Sequence, residues 1–188
     1  TRTFNTDIVK QININKRPAV KEIVDVISLD GKITIRSTIN EKFQLRRIIF
    51  PSTDKPMFCE KYVLKNAGEK PATIEIPQID NILTTNPADG VEGSYFLRVQ
   101  SGKAGVFVVQ PGDSITFYLS ISGAKNALDA GMADIDNELL KRDYFLQFLN
   151  RNLVLETPDD ILNKAFAFAK IRASESIFQT KGGPLHGP

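Results

Sequence analysis

The sequence predicts a mainly β protein: a two-layer antiparallel β-sandwich, supersandwich-like, followed by a linker helix and a further helix. Two changes of pattern carry that expectation. Up to about residue 122 apolar residues recur at every second position, the period of a strand with one buried face. Past Gly123 the spacing becomes three and four, the period of a helix packed on one side.

Taken in order, Ile8, Ile12 and Ile14 alternate with polar neighbours and open the β region. Further β-like runs cover 21–29, 32–39, 43–50, 58–66, 72–76, 95–99 and 106–110. In the last run Ile115, Phe117, Leu119 and Ile121 form one face, and Thr116, Tyr118, Ser120 and Ser122 the other. Turn residues punctuate these runs at Asp30-Gly31, Asn66-Ala67-Gly68, Asn86-Pro87 and Pro111-Gly112-Asp113. A two-residue hairpin closed at Asp30-Gly31 pairs Val26 with Ile35 and Asp25 with Arg36. Short strands with regular turns and no intervening helix bury one face of each sheet against another, which is a sandwich.

Leu128, Met132, Ile135, Leu139, Leu146 and Leu149 then mark a helical stripe, interrupted by Arg142 and weakened early by Gly131. This spacing predicts a linker helix of about 25 residues, longer than the usual globular helix. After 150–156 a second helix starts at Thr157-Pro158-Asp159-Asp160. Thr157 is the expected cap, Pro158 the first helical residue, and the aspartates suit the helix dipole. The expected span is 161–178, with Leu162, Phe166, Ala169, Ala173 and Ile177 on one stripe. Ile161, Ala165, Phe168, Ile171 and Phe178 spread apolar surface round the rest of it. Such a helix expects burial on several sides. The reading is a sandwich over 1–122, a linker helix and connection over 123–156, and the first helix and loop of a larger helical domain over 157–188.

Composition narrows the function classes. Apolar residues make up 41% of the chain and charged residues 24%, ordinary for a globular protein. A net charge of +2 creates no field that argues for nucleic acid or an anionic membrane. Arg46-Arg47 and Lys141-Arg142 read as solvated surface. Cys59 is the only cysteine, so no intrachain disulfide forms, and it reads as a small buried hydrophobe. One cysteine and one histidine supply no zinc cluster, and no cofactor is expected. No apolar stretch approaches the ~20 residues of a membrane span. The chain starts at Thr1 without a signal-like apolar stretch and reads as a mature or trimmed product.

Few residues offer themselves for chemistry. Asp159 and Asp160 are adjacent carboxylates, but neighbours on a helix diverge by ~100° and suit a cap better than an acid/base pair. Glu60 and Glu75 lie in separate strands, with no sequence rule to place them together. Ser174-Glu175-Ser176 with Arg172 forms a polar stretch on the last helix, and His186 sits among glycines and prolines. Lys181-Gly182-Gly183 lacks the glycine spacing of a phosphate loop. Trp is absent, and the 4 tyrosines leave only a weak case for a sugar-stacking platform. None of these groups is assigned as a catalytic, metal or cofactor residue.

Three stretches in order carry a resemblance. The first is the strand, asparagine turn and strand of 60–75, centred on Asn66-Ala67-Gly68. The second is Gln110-Pro111-Gly112-Asp113-Ser114, leading into a final strand. The third is 152–166, with Thr157-Pro158-Asp159-Asp160, followed by Gly182-Gly183-Pro184-Leu185-His186-Gly187-Pro188. In this order the chain resembles the N-terminal part of bacterial six-hairpin glycosidases, the glucoamylase and glycogen-debranching type. The resemblance implies a β-supersandwich, a linker helix and then an (α/α)6 catalytic barrel, with carbohydrate as the parent's substrate. The catalytic carboxylates of that family come from later barrel helices, so none is carried over to this chain. The function implied is a non-catalytic N-terminal region that supports the barrel, in a periplasmic or secreted enzyme. A freestanding carbohydrate-binding or adhesion sandwich is the alternative, and self-association through the last helix is a further expectation.

Overall fold

The computed structural model describes residues 7–19, 21–89, 93–180 and 182–187. After a 3-10 turn at Val9–Gln11 the strands are β1 (Asn13–Ile14), β2 (Arg17–Pro18), β3 (Glu22–Leu29), β4 (Ile33–Ile39), β5 (Phe43–Pro51) and β6 (Met57–Asn66). Then come β7 (Ala72–Ile76), β8 (Asp80–Thr84), β9 (Phe96–Gly102), β10 (Gly105–Val109) and β11 (Ser114–Ala124). Helices α1 (Ile135–Arg151) and α2 (Asp160–Glu175) follow, and the hairpin β12 (Ile177–Thr180) and β13 (Gly183–His186) comes last. Two compact units result, Thr1–Leu139 and Leu140–Pro188, so α1 contributes its first turn to one and the remainder to the other.

The first unit is the antiparallel sandwich. A four-stranded sheet, β10-β7-β1-β2, faces a seven-stranded sheet, β3-β4-β5-β6-β11-β9-β8. Alternation along each strand sends one set of side chains into the gap between them. From the small sheet come Ile14, Ile74, Ile76 and Val109; from the large one come Phe43, Leu45, Tyr62, Leu64, Ile115, Phe117 and Leu119. Tyr62 and Phe117 stack face to face with ring centres 4.9 Å apart. Each such side chain contributes about 1.5–3 kcal/mol by leaving water.

The large sheet also has a partly covered outer face. Phe50, Met57 and Cys59 point outward from it and form a second apolar cluster with Ile135, against which Met132 and Leu139 pack. At the edge of the large sheet, β3 is exposed throughout.

Three local expectations need correction. The β3–β4 hairpin has a three-residue loop, Asp30-Gly31-Lys32, which sets Ile27 opposite Ile35 and Val26 opposite Arg36. A mirror-image two-residue turn needs positive φ at both positions, and only Gly31 has it, at 81°. A bulge at Asp25 absorbs the extra residue, so Val24 pairs with Ser37 in the register of a shorter loop. The linker helix is 17 residues long and starts at Ile135. The Asp134 carboxylate caps it, accepting from the Asp136 and Asn137 amides at 3.1 and 3.2 Å, which leaves Leu128 and Gly131 outside the helix.

The last helix is capped by Asp159 rather than Thr157. Its carboxylate accepts from the amides of Ile161 and Leu162, and Pro158 precedes the cap. Thr157 braces the turn instead, its hydroxyl 2.9 Å from the Asn163 side-chain oxygen. The helix ends at Glu175, so Ile177 belongs to a strand and pairs with His186. The side chain of Phe178 lies outside the described residues.

Within the second unit, Lys170 on α2 donates to the carbonyls of Leu149, Asn152 and Leu153 at 2.8, 2.8 and 2.9 Å. It thereby closes the C-terminal end of α1, where a cation complements unsatisfied carbonyls. Arg142, which interrupts the apolar stripe, is buried and ion-paired with Glu175.

Candidate functional site

Arg46 and Arg47 are neighbours in sequence and serve opposite faces of the large sheet, because successive strand residues point opposite ways. Arg47 turns inward. Its Nε and Nη2 donate to Glu60 Oε2 at 3.0 and 2.9 Å, and the Tyr62 hydroxyl donates to the same oxygen. The guanidinium also lies 5.4 Å from the centre of the Tyr62 ring. Burial drives the Tyr62 phenol well above its ordinary value, and the adjacent Glu60 charge adds to the shift. Burial alone would lower Arg47, but Tyr62 and Glu60 outweigh it and hold the guanidinium protonated. All three groups are engaged with one another, which suits a lock on the core better than proton transfer.

On the outer face a second set of polar groups pins the segment leading into α1. The Met132 amide donates to Gln100 Oε1 at 3.0 Å, and Arg98 donates to the Ala130 carbonyl at 3.2 Å. Lys61 and the Tyr118 hydroxyl reach Asp136 at 2.6 and 2.8 Å. Glu138, wholly buried, accepts from Ser52 at 2.6 Å and from Lys55 at 2.7 Å. Beneath this segment Cys59 is fully buried, and its thiol is pushed up to about 12, chiefly by desolvation and then by the Glu138 charge. The buried Ser120 hydroxyl has no hydrogen-bond partner among the described residues.

The same face also carries a cleft of about 490 Å³, with Arg36, Thr38, Gln44, Arg46, Val63 and Lys65 on its walls and floor. Arg36 stands directly opposite Arg46, and Lys65 opposite Gln44. Among the described residues Arg36, Arg46 and Lys65 make no side-chain hydrogen bond or ion pair.

The residues singled out in the sequence are dispersed. Glu60 faces the core from the large sheet, whereas Glu75 is exposed on the small one and accepts from Asn13 at 3.0 Å. Asp159 is a cap, and Asp160 begins the helix. The Ser174 and Ser176 hydroxyls return to the Ile171 and Arg172 carbonyls of their own helix at 2.7 and 3.0 Å, while Glu175 pairs with Arg142. His186 is exposed on β13, and Lys181 lies outside the described residues. Arg46-Arg47 reads in the sequence as a surface pair, but strand alternation separates the two side chains and aligns Arg46 with Arg36.

Among the described residues no group of three or more His, Cys, Asp or Glu side chains could hold a metal ion. No helix among them is long and apolar enough to cross a membrane. Compared with known proteins, the chain matches no family model and no curated sequence.

Proposed function

We propose that this chain is the non-catalytic N-terminal region of a glycoside hydrolase acting on oligo- or polysaccharide, and that its helices form the seat for an (α/α)6 catalytic barrel. The observation supporting this is the apolar surface of α1 and α2. Phe148 is 63% exposed, Ile161 79%, Leu162 49% and Phe168 39%. Each is worth about 1.5–3 kcal/mol once buried. Lys170 and the Arg142–Glu175 pair already join the two helices to each other, so these outward side chains call for another surface. Neighbouring barrel helices are the cover that the family resemblance supplies.

Hydrolysis of a glycosidic bond needs two carboxyl groups flanking it. Glu60 is committed to Arg47 and Tyr62, and Glu138 to Lys55 and Ser52, so the reacting pair is assigned to the barrel. A periplasmic or secreted enzyme is the setting this reading carries with it. A carbohydrate-binding sandwich is the second reading, and the open cleft on the large sheet favours it.

The test has two parts. The gene product carrying this chain with its barrel should hydrolyse a glycan, while the 188-residue chain should not. Turnover by the chain alone, abolished by one carboxylate substitution, would sink the non-catalytic assignment. In sedimentation the chain should self-associate, and Ile161→Ser with Phe168→Ser should reduce it. A strictly monomeric chain with strongly protected α2 amides would remove the need for a cover.

A further inference from the structure

Arg36, Arg46 and Lys65 are exposed on three consecutive strands, β4, β5 and β6, on the outer face of the large sheet. Adjacent strands lie about 4.8 Å apart, so Arg36 and Arg46 stand side by side, and Lys65, two positions past the Val63 that faces Arg46, lies diagonally from them. Like charges directly opposite each other destabilise a strand pair, yet Arg36 and Arg46 are directly opposed.

Several other cations of this unit are paired. Arg47 has Glu60, Lys61 has Asp136, Lys55 has Glu138 and Arg98 has Asp80. Asp25, which lines the cleft, accepts from Thr38 at 3.1 Å, and among the described residues no ion pair joins it to these cations. A recess of about 490 Å³ thus holds three cations whose mutual repulsion the fold does not relieve.

Guanidinium forks match the planar oxygens of a carboxylate or the oxygens of a sulfate, with two parallel hydrogen bonds each. Among the described residues no aromatic ring lines the cleft, so neither a neutral sugar nor a nucleobase finds a stacking platform there. We propose that this cleft binds an acidic polysaccharide, its carboxylate or sulfate groups seated on Arg36 and Arg46 and flanked by Lys65. The inference rests on the glycan-acting reading above and names its substrate class as anionic.

Calorimetric titration of the 188-residue chain tests it. The probes are polygalacturonate, its methyl ester, a sulfated galactan and a single-stranded oligonucleotide. Binding of polygalacturonate or the sulfated galactan, weakening as salt rises, is expected, and the tighter of the two identifies the acidic group. Arg46→Gln should weaken it at least ~tenfold, the loss of a charged hydrogen-bond donor, and R36Q/R46Q further. Arg17→Gln, an exposed cation on the small sheet, should leave affinity unchanged. Melting of Arg46→Gln should match or exceed the parent's, because a like-charge pair is removed, which separates lost binding from lost folding.

Equal affinity for the acid and its methyl ester would overturn the inference and leave a neutral-glycan reading standing. Tighter binding of the oligonucleotide, or an unchanged R36Q/R46Q, would also overturn it. If no glycan binds at all, the inference fails, while the barrel-support reading is judged separately by the hydrolysis assay.

Discussion

The side-chain amide of Asn66, at the end of β6 in the large sheet, donates to the Val109 carbonyl at the end of β10 in the small sheet, 3.0 Å away. The same nitrogen donates to the Lys70 carbonyl at 2.9 Å, and the side-chain oxygen accepts from the Gly68 amide at 3.0 Å. Main-chain bonds from Gly112 to Asn66 and from Asn66 to Asp113 close the same corner. One side chain, 1% exposed, therefore joins the two layers and the turn between β6 and β7.

Asn66→Ala should cost about 2–4 kcal/mol, since buried donors and acceptors are left unpaired as well as bonds lost. Urea unfolding measures it. A loss below ~1 kcal/mol would mean that water restores these bonds.

Lys55→Met should destabilise more than Glu138→Gln. Glu138 stays buried when Lys55 is removed, whereas the Lys55 ammonium, whose side chain is 41% exposed, remains solvated when Glu138 is neutralised. Losing one partner of a buried pair costs up to about 3–5 kcal/mol, and solvent at Lys55 brings this pair below that range. Equal effects would show that Glu138 does not depend on Lys55.

Alkaline pH should weaken the fold through its tyrosines. Tyr118 is pushed up to about 12, by burial first and then by its hydrogen bond to Asp136, and Tyr62 is also raised. A raised phenol favours the folded state fully below the unfolded value near ~10, and that contribution disappears as pH passes the folded value. Melting curves should fall between pH ~10 and ~12, less steeply in Tyr118→Phe. A Tyr118→Phe profile parallel to the parent's would refute the assignment.

Cys59 should be inert to an aromatic disulfide reagent at mild pH in the folded protein and react after denaturation. Its thiol is buried and raised to about 12, so the reactive thiolate is scarce and inaccessible. Fast native-state labelling would require the segment over it to open readily.

The sandwich is legible in the sequence because strand alternation and turn chemistry agree, as along Ile115, Phe117, Leu119 and Ile121 on β11. The first turn of α1 was harder to read. Leu128 and Met132 fit a helical stripe, but Asp134 competes for the first free amides and fixes the start at Ile135, beyond Gly131. Asp159 overrides Thr157 in the same way, through its bonds to Ile161 and Leu162. The cationic cluster is the least legible feature. Arg36, Arg46 and Lys65 are far apart in the chain, and only the β4–β5–β6 register brings them together.

The bulge at Asp25 has a consequence for chain length. The loop at Gly31 adds one residue and the bulge absorbs one, so the two displacements cancel before Val24 meets Ser37. Only the tip from Val26 to Arg36 carries the offset, and Ser37 and Ile39, which are buried, keep their places. The outer end of this hairpin is a removable cassette. Deleting one loop residue together with the bulge would preserve the pairing at its base, making this tip the place to shorten the chain or graft a foreign segment.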